Sequence, residues 1–224
     1  MRLATALVFV ASPLAAQEFS MPVGCEAYLT IQASDCAVTH HFTCEGDPEG
    51  HQRRADLDED GLSYVGRINN EAEWVESFHL RSAHTERLAT SLDPMSISNL
   101  IATGVDTWDF ETESDEIGPS RYVGMDRLTG ESVVIDGVEL LVTNYALTAY
   151  DGAGNVVWAS TGQEHISTEW RMFVSGISTY ETSDDVFTSD GTPVEFIFPG
   201  EPGFLSVNPK FGCGAVLSSF EIGQ

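Results

Sequence analysis

The chain is short of basic residues and has no long apolar segment. It contains 10 lysines and arginines against 35 aspartates and glutamates, a formal net charge of −25 at pH 7. Such a chain repels nucleic acids and anionic membrane surfaces, so we predict no nucleic-acid partner. No run approaches the roughly 18 apolar residues that a membrane helix needs, so we predict no membrane span. We interpret the charge as a solvated acidic surface in preference to cation binding.

The common catalytic motifs are also missing. The sequence has no G-x-S-x-G, no H-E-x-x-H, no phosphate-binding loop and no dinucleotide-binding glycine pattern. Carboxylates are too numerous to be diagnostic. The spacing of the six histidines does not indicate a metal or acid–base site: His40, His41, His51, His79, His84 and His165. The sequence therefore predicts no catalytic residue and no cofactor.

The first 16 residues have the pattern of a secretory signal peptide. Arg2 supplies the positive charge, residues 3–10 the apolar core, and Leu14-Ala15-Ala16 a small-residue cleavage site. A first buried strand or helix is the alternative. We predict a single β-rich domain over residues 17–224, soluble and located in the periplasm or secreted. Without Arg2 it has 9 basic and 35 acidic residues, a formal charge of −26.

Four cysteines in an exported chain predict two disulfides. Two strands joined at Ser34-Asp35 place Cys25 opposite Cys44, Ala27 opposite Phe42 and Leu29 opposite His40. Cys36 and Cys44 cannot join each other within one strand, because eight steps of ~3.3 Å separate them by ~26 Å, against the ~5.5 Å that a disulfide spans. We therefore predict Cys25–Cys44 and Cys36–Cys213, with Cys25–Cys36 and Cys44–Cys213 as the alternative.

A zinc site is the other interpretation of the same region. Cys36, His40, His41 and Cys44 are close in sequence. However, C-x7-C is not a zinc-knuckle spacing, and export favours disulfides.

The segment from Arg121 to Tyr180 predicts an antiparallel meander. Asp136-Gly137 between two apolar runs is a strong hairpin signal. Further turns are predicted at residues 151–154 and at Ser160-Thr161-Gly162, and a long strand through Ile166 and Val174 is predicted after the second turn. The predicted pairs are Val133 with Leu140, Ile135 with Val138, Leu147 with Trp158, Ala149 with Val156, and Ile166 with Val156.

The apolar face of this meander changes from even to odd residue numbers near Thr143-Asn144. A bulge or a tightly curled sheet explains the change. We predict a mainly β fold, a curled antiparallel meander that forms an open or partly closed barrel. A last strand is predicted at residues 215–222.

One short α-helix is predicted around residues 94–103. Asp93 is a good N-cap, Pro94 suits the first helical position, and Gly104 suits the left-handed residue after the helix.

An acidic segment at residues 56–61 resembles half of a calcium loop. Asp56, Asp58 and Asp60 alternate and are followed by Gly61, but the twelfth position is Arg67 where a calcium loop needs a bidentate glutamate. We therefore favour a plain turn between two strands over calcium binding.

The sequence favours a non-catalytic binding or carrier module for an apolar small molecule or a protein partner. This prediction is an analogy from fold class alone. The predicted site is the hollow of the curled sheet, near Tyr145, Leu147, Trp158, Trp170 and Met172. The alternative is a secreted hydrolase whose site is assembled from dispersed histidines and carboxylates.

Overall fold

The computed structural model of the protein describes residues 18–214. The predicted signal peptide at 1–16 and the predicted strand at 215–222 lie outside these residues. The described chain forms these elements: β1 Cys25–Ala33, β2 Val38–Cys44, β3 Gln52–Asp58, β4 Gly61–Ile68, β5 Trp74–His79, β6 His84–Asp93, α1 Ile97–Thr103, β7 Val105–Glu113, β8 Ser120–Ile135, β9 Val138–Asp151, β10 Val156–Ser167, β11 Met172–Val174, β12 Ile177–Thr182, β13 Val186–Asp190 and β14 Pro193–Ile197.

The strands form one antiparallel sheet of 14 strands, so the predicted fold class is confirmed. Strands β1 to β10 follow one another across the sheet, β12 and β13 extend one side, β14 pairs with β1, and β11 pairs with β10. The sheet is not closed into a barrel. Its edge strands β13 and β14 are joined by residues 191–192 alone, and Ser34 Oγ next to β1 donates to the Asp190 carbonyl of β13 at 2.7 Å.

The first hairpin contains the predicted disulfide between Cys25 and Cys44. Cys36 and Cys213 form the second disulfide, as predicted, and tie the C-terminal segment to this hairpin. The predicted pairing of β1 with β2 agrees with the structure only from Cys25 to Ala27. A bulge after Ala27 pairs Leu29 with His41, whereas the sequence predicted its pairing with His40.

The β8–β9 hairpin has the predicted register, with Val133 opposite Leu140 and Ile135 opposite Val138. The predicted register of the next hairpin is wrong. A bulge between Val156 and Trp158 pairs Trp158 with Ala149, not with Leu147, and pairs Val156 with Tyr150. Val156 lies before the bulge and is already displaced by one residue at the turn, and the extra residue in β10 displaces every later pair by one more.

The predicted turn at residues 160–162 is also wrong, because these residues lie inside β10. Ile166 therefore pairs with Leu141 in β9, not with Val156. Gly162 serves a close backbone approach: a Cβ there would lie 2.2 Å from the Ile177 carbonyl oxygen of β12. The long strand predicted from Ile166 instead ends at Ser167, and the chain continues into β11 and β12.

The change of buried face in the meander is present in β9. Leu140 is buried on one side of the change and Thr143, Leu147 and Ala149 on the other. The irregularity lies in the neighbouring strand β8, between Leu128 and Ser132. β9 itself pairs with β10 in an unbroken register across Thr143-Asn144, so the bulge predicted there is not present.

The helix is shorter than predicted. It is capped by Ser96, whose side chain accepts a hydrogen bond from the Asn99 amide, while Asp93 belongs to the end of β6. Gly104 ends the helix with a φ of 83°, as predicted. No helix in residues 18–214 is long and apolar enough to cross a membrane.

Three clusters of buried apolar side chains form the core. The largest joins the helix to the middle of the sheet through Ile97, Leu100, Trp108, Phe110 and Ile166. A second lies where β1 and β14 meet β9 and β11, and a third lies beneath the first disulfide. The inner surface of the curled sheet is only partly covered by these clusters, and the remaining space is a cavity.

Candidate functional site

A cavity of about 390 Å³ lies against the inner surface of the curled sheet. Strands far apart in sequence form its walls, because curling brings β3 and β4 opposite β9 and β10. The wall residues used below are Arg54, Tyr64, Trp74, His79, Glu86, Trp108, Tyr122, Asp126, Tyr145, Leu147, Trp158, Ser160, Glu164, Met172 and Tyr180. The volume is within the range of about 300–1,000 Å³ typical of sites for small organic molecules.

One wall of the cavity is a run of aromatic rings. Trp74 lies 5.5 Å from Tyr122, Tyr122 lies 6.3 Å from Trp158, and Trp158 lies 6.2 Å from Tyr180, measured between ring centroids. Trp108 extends the run at 6.4 Å from Trp74. Their ring faces and edges give a flat apolar molecule several stacking positions.

Arg54 is one of two arginines that line the cavity, the other being Arg53, and its charge is already compensated. Its Nε lies 3.3 Å from Asp56 Oδ2, and its guanidinium lies 5.0 Å from the centroid of the Tyr64 ring. The negative charge of Asp56 raises the pKa of Arg54. Burial raises the pKa of Asp56, and the positive charge of Arg54 only partly offsets this effect. We assign an ionised pair, because the short contact favours both charges.

Glu164 is a carboxyl of the cavity that has no hydrogen-bond or ion-pair partner in residues 18–214. Burial and the nearby Asp126 carboxyl raise its pKa to about 8, although Arg54 acts in the opposite direction. No hydrogen bond from residues 18–214 contributes to this pKa. Burial likewise raises the pKa of Asp126, to about 6, but Trp108 Nε1 donates a hydrogen bond to its Oδ2 at 2.8 Å.

Glu86 is held in a fixed orientation at another part of the wall. Its Oε1 accepts hydrogen bonds from Thr112 at 2.7 Å and from Tyr122 at 2.8 Å. Its Oε2 lies 3.2 Å from Nε2 of His79. Burial by itself raises the pKa of Glu86, but the approach of His79 and the two hydrogen bonds together lower it to about 2. Glu86 is therefore ionised at neutral pH.

Four of the five residues predicted for the hollow line this cavity: Tyr145, Leu147, Trp158 and Met172. Tyr145 is fixed by a hydrogen bond between its hydroxyl and Ser160 Oγ, 2.6 Å long. Trp170 lies elsewhere, because the chain turns after β10 and its indole stacks on Phe196 at 6.0 Å. It lines a separate pocket of about 550 Å³ beside the Asp136-Gly137 turn.

The segment that resembles a calcium loop forms the predicted turn between β3 and β4. Arg81 forms ion pairs with both Asp58 and Asp60, the second at 3.4 Å. Asp56 faces Arg54 instead. The three carboxylates therefore point to two different arginines and do not converge on one point.

The charged members of the wall, chiefly Arg54, Glu86 and Glu164, were not predicted from the sequence. Each is a charged residue within a strand, which sequence patterns place on the solvent face. One feature of the sequence could have predicted that Glu164 lies in the wall. Trp158 and Glu164 both have even numbers in β10, and a strand without a turn at Ser160 places them on one face.

The chain matches no protein-family model, no curated protein and no solved structure.

Proposed function

We propose that the protein is an exported, non-catalytic binding or carrier module that holds a small organic molecule in the cavity. The observation that carries this proposal is the cavity itself, with its aromatic wall and its few convergent polar groups. This combination is typical of ligand sites. The two disulfides support an oxidising compartment.

The wall suggests the chemistry of the molecule. The rings of Trp158, Tyr122 and Trp74 favour a flat or apolar body. Glu164 favours a hydrogen-bond donor or a positive charge at one end, because its carboxyl lacks a partner whereas the charge of Arg54 is compensated by Asp56. The proposed ligand is thus a compact amphipathic molecule with a donor or cationic group.

Native mass spectrometry of protein purified from its own host tests for such a molecule. We expect a complex whose mass exceeds that of the bare chain by that of a small molecule, released on denaturation. A bare chain, also after incubation with apolar amines, contradicts the carrier proposal. A co-purified protein instead of a small molecule would favour the alternative of a protein partner.

Removing one ring of the aromatic wall should weaken binding. We expect the neutral fluorescent probe N-phenylnaphthylamine to bind in the cavity and Trp158→Ala to weaken its binding by about 10-fold, roughly 1.4 kcal/mol, because a stacking surface is lost. Fluorescence titration measures both affinities.

Trp170→Ala is the matched control, since this tryptophan is outside the cavity and packs on Phe196. It should leave the affinity for the probe unchanged. Equal weakening by the two substitutions would place the probe outside the cavity and contradict the assignment. Circular dichroism of both variants verifies the fold.

A secreted hydrolase is the second candidate function. The observation that favours it is the contact of His79 with Glu86 in the cavity wall, a histidine–carboxylate pair of the kind used in acid–base catalysis. Turnover of para-nitrophenyl esters that is lost in Glu86→Gln would support it. No turnover above that of buffer would leave the binding function as the better account.

A further inference from the structure

The hairpin of β5 and β6 places three potential metal ligands together. His79 is the last residue of β5, His84 is the first residue of β6, and the two residues are paired across the strands. Glu86 lies two residues after His84 and therefore on the same face of β6. One ligand atom from each side chain lies within 4.8 Å of the other two.

The distances among these atoms suit a metal ion. Glu86 Oε2 lies 3.2 Å from His79 Nε2 and 3.8 Å from His84 Nε2. Ligand atoms bound to a tetrahedral zinc ion at about 2.0–2.2 Å are separated by about 3.4 Å. The imidazoles are stacked with centroids 4.3 Å apart. One ring must rotate about its Cβ–Cγ bond, a torsion with broad preferences, to direct both nitrogens to one point.

Two buried histidine nitrogens of the cluster lack hydrogen-bond partners among the described residues. These nitrogens are His79 Nε2 and His84 Nδ1. His79 Nε2 lies close to Glu86 Oε2 but is not aligned to donate to it. Both histidines approach the same carboxylate oxygen, Oε2 of Glu86. A metal ion bound by His79 Nε2, His84 Nε2 and Glu86 Oε2 would give the buried His79 nitrogen the partner that it lacks.

The surroundings orient the cluster as metal sites require. Thr112 and Tyr122 both donate to Oε1 of Glu86, which leaves Oε2 free to face the histidines. The Tyr64 ring packs against His79 at 5.2 Å. Hydrogen bonds and packing of this kind fix the ligands of known metal centres.

We propose that His79, His84 and Glu86 bind a divalent transition-metal ion such as zinc. Two imidazoles and one carboxylate favour zinc and its neighbours over calcium or magnesium, which prefer oxygen ligands. Three protein ligands leave a coordination position open. Since His79 and Glu86 line the cavity, that position faces the space in which the proposed ligand binds. The ion would hold a donor atom of that molecule.

Calorimetric titration of the chelator-treated protein with Zn²⁺ alone tests the site. We expect one ion per chain, bound at least 100-fold more tightly than Mg²⁺, and Co²⁺ should give the intense visible absorption of a tetrahedral complex. His84→Ala and Glu86→Gln should each weaken Zn²⁺ binding by roughly 100-fold or more, since each removes a ligand. No organic molecule is needed, so the result is independent of the proposed carrier function.

Two control variants separate this site from the acidic surface and from the other histidines. Asp58→Asn and His51→Ala should bind Zn²⁺ as the unmodified protein does. Zn²⁺ binding no tighter than Mg²⁺ binding, or unchanged affinity in His84→Ala, would overturn the proposal. His84 lies at the end of the hairpin and outside the hydrogen bonds of Glu86, so this variant should fold even if Glu86→Gln does not.

Discussion

Replacing Glu164 with glutamine should stabilise the protein by roughly 2–5 kcal/mol at pH 9 and by almost nothing at pH 4. In the folded protein the pKa of Glu164 is about 8, mainly because of burial and then because of Asp126. In the unfolded chain it returns to about 4.3. The folded state therefore retains a proton that the unfolded state loses between these two values.

The sign of the effect follows from proton linkage. Where the folded state binds more protons than the unfolded state, the free energy of unfolding falls as the pH rises. For Glu164 the loss begins near pH 4, grows until about pH 8 and is constant above it. A shift from 4.5 to about 8 corresponds to at most ~5 kcal/mol at ~1.4 kcal/mol per pKa unit, and water in the cavity reduces it.

Denaturant unfolding of both proteins at pH 4, 7 and 9 measures the effect. Glu169→Gln is the matched control, because Glu169 is exposed in the turn after β10. A surface substitution of this kind should stay within about 0.5 kcal/mol at every pH. A difference between Glu164→Gln and the unmodified protein that does not depend on pH would show that the carboxyl is solvated.

The Glu164 carboxyl lowers the stability of the protein, but it can strengthen the binding of a ligand. An uncompensated acid in the wall lowers stability at neutral pH, and a bound donor or cation removes that penalty. Binding of a cationic molecule should therefore lower the pKa of Glu164 and release a proton. The groups that face it from other strands are Arg54, Asp126, Tyr145 and Tyr180.

Tight turns and alternation made part of the fold predictable from the sequence. Asp136-Gly137 fixed the register of β8 and β9, because a two-residue turn leaves no freedom in the pairing. The apolar side chains of β9 and β10 identified Tyr145, Leu147 and Trp158 as inward-facing. These are local properties of one strand or one hairpin.

Bulges and long-range contacts were not predictable in this way. The extra residues near Tyr28 and Val157 have no local sequence signal, yet each displaces the pairs that follow. Gly162 resembles a turn residue, and its actual role is set by Ile177, which only the fold brings near. Arg54, Glu86 and Glu164 become one site only because the sheet curls.

Loss of the Cys36–Cys213 disulfide should destabilise the protein by about 5 kcal/mol, and loss of Cys25–Cys44 by about 3 kcal/mol. The two bonds close segments of very different length, with sequence separations of 177 and 19 residues. A cross-link that closes a longer loop removes more conformational entropy from the unfolded chain.

The folded state itself should change little when Cys36–Cys213 is lost. The C-terminal segment remains attached to β1 through Gln32, which accepts a hydrogen bond from the Lys210 amide at 2.9 Å and donates one to the Asn208 carbonyl at 3.2 Å. Cys36 also donates its amide hydrogen to the Phe211 carbonyl at 2.9 Å. The loss of stability therefore arises chiefly from the greater conformational entropy of the unfolded chain.

Paired serine substitutions of each disulfide, compared by urea unfolding, separate the two contributions. Both variants replace two cysteines by serines, so each is the control for the other. The difference between their free energies of unfolding measures the effect of the length of the closed loop. The variant without Cys36–Cys213 should also have the larger m-value, because its unfolded chain expands further and exposes more surface. Equal losses, or a larger loss for Cys25–Cys44, would mean that local packing around the sulfur atoms outweighs chain entropy.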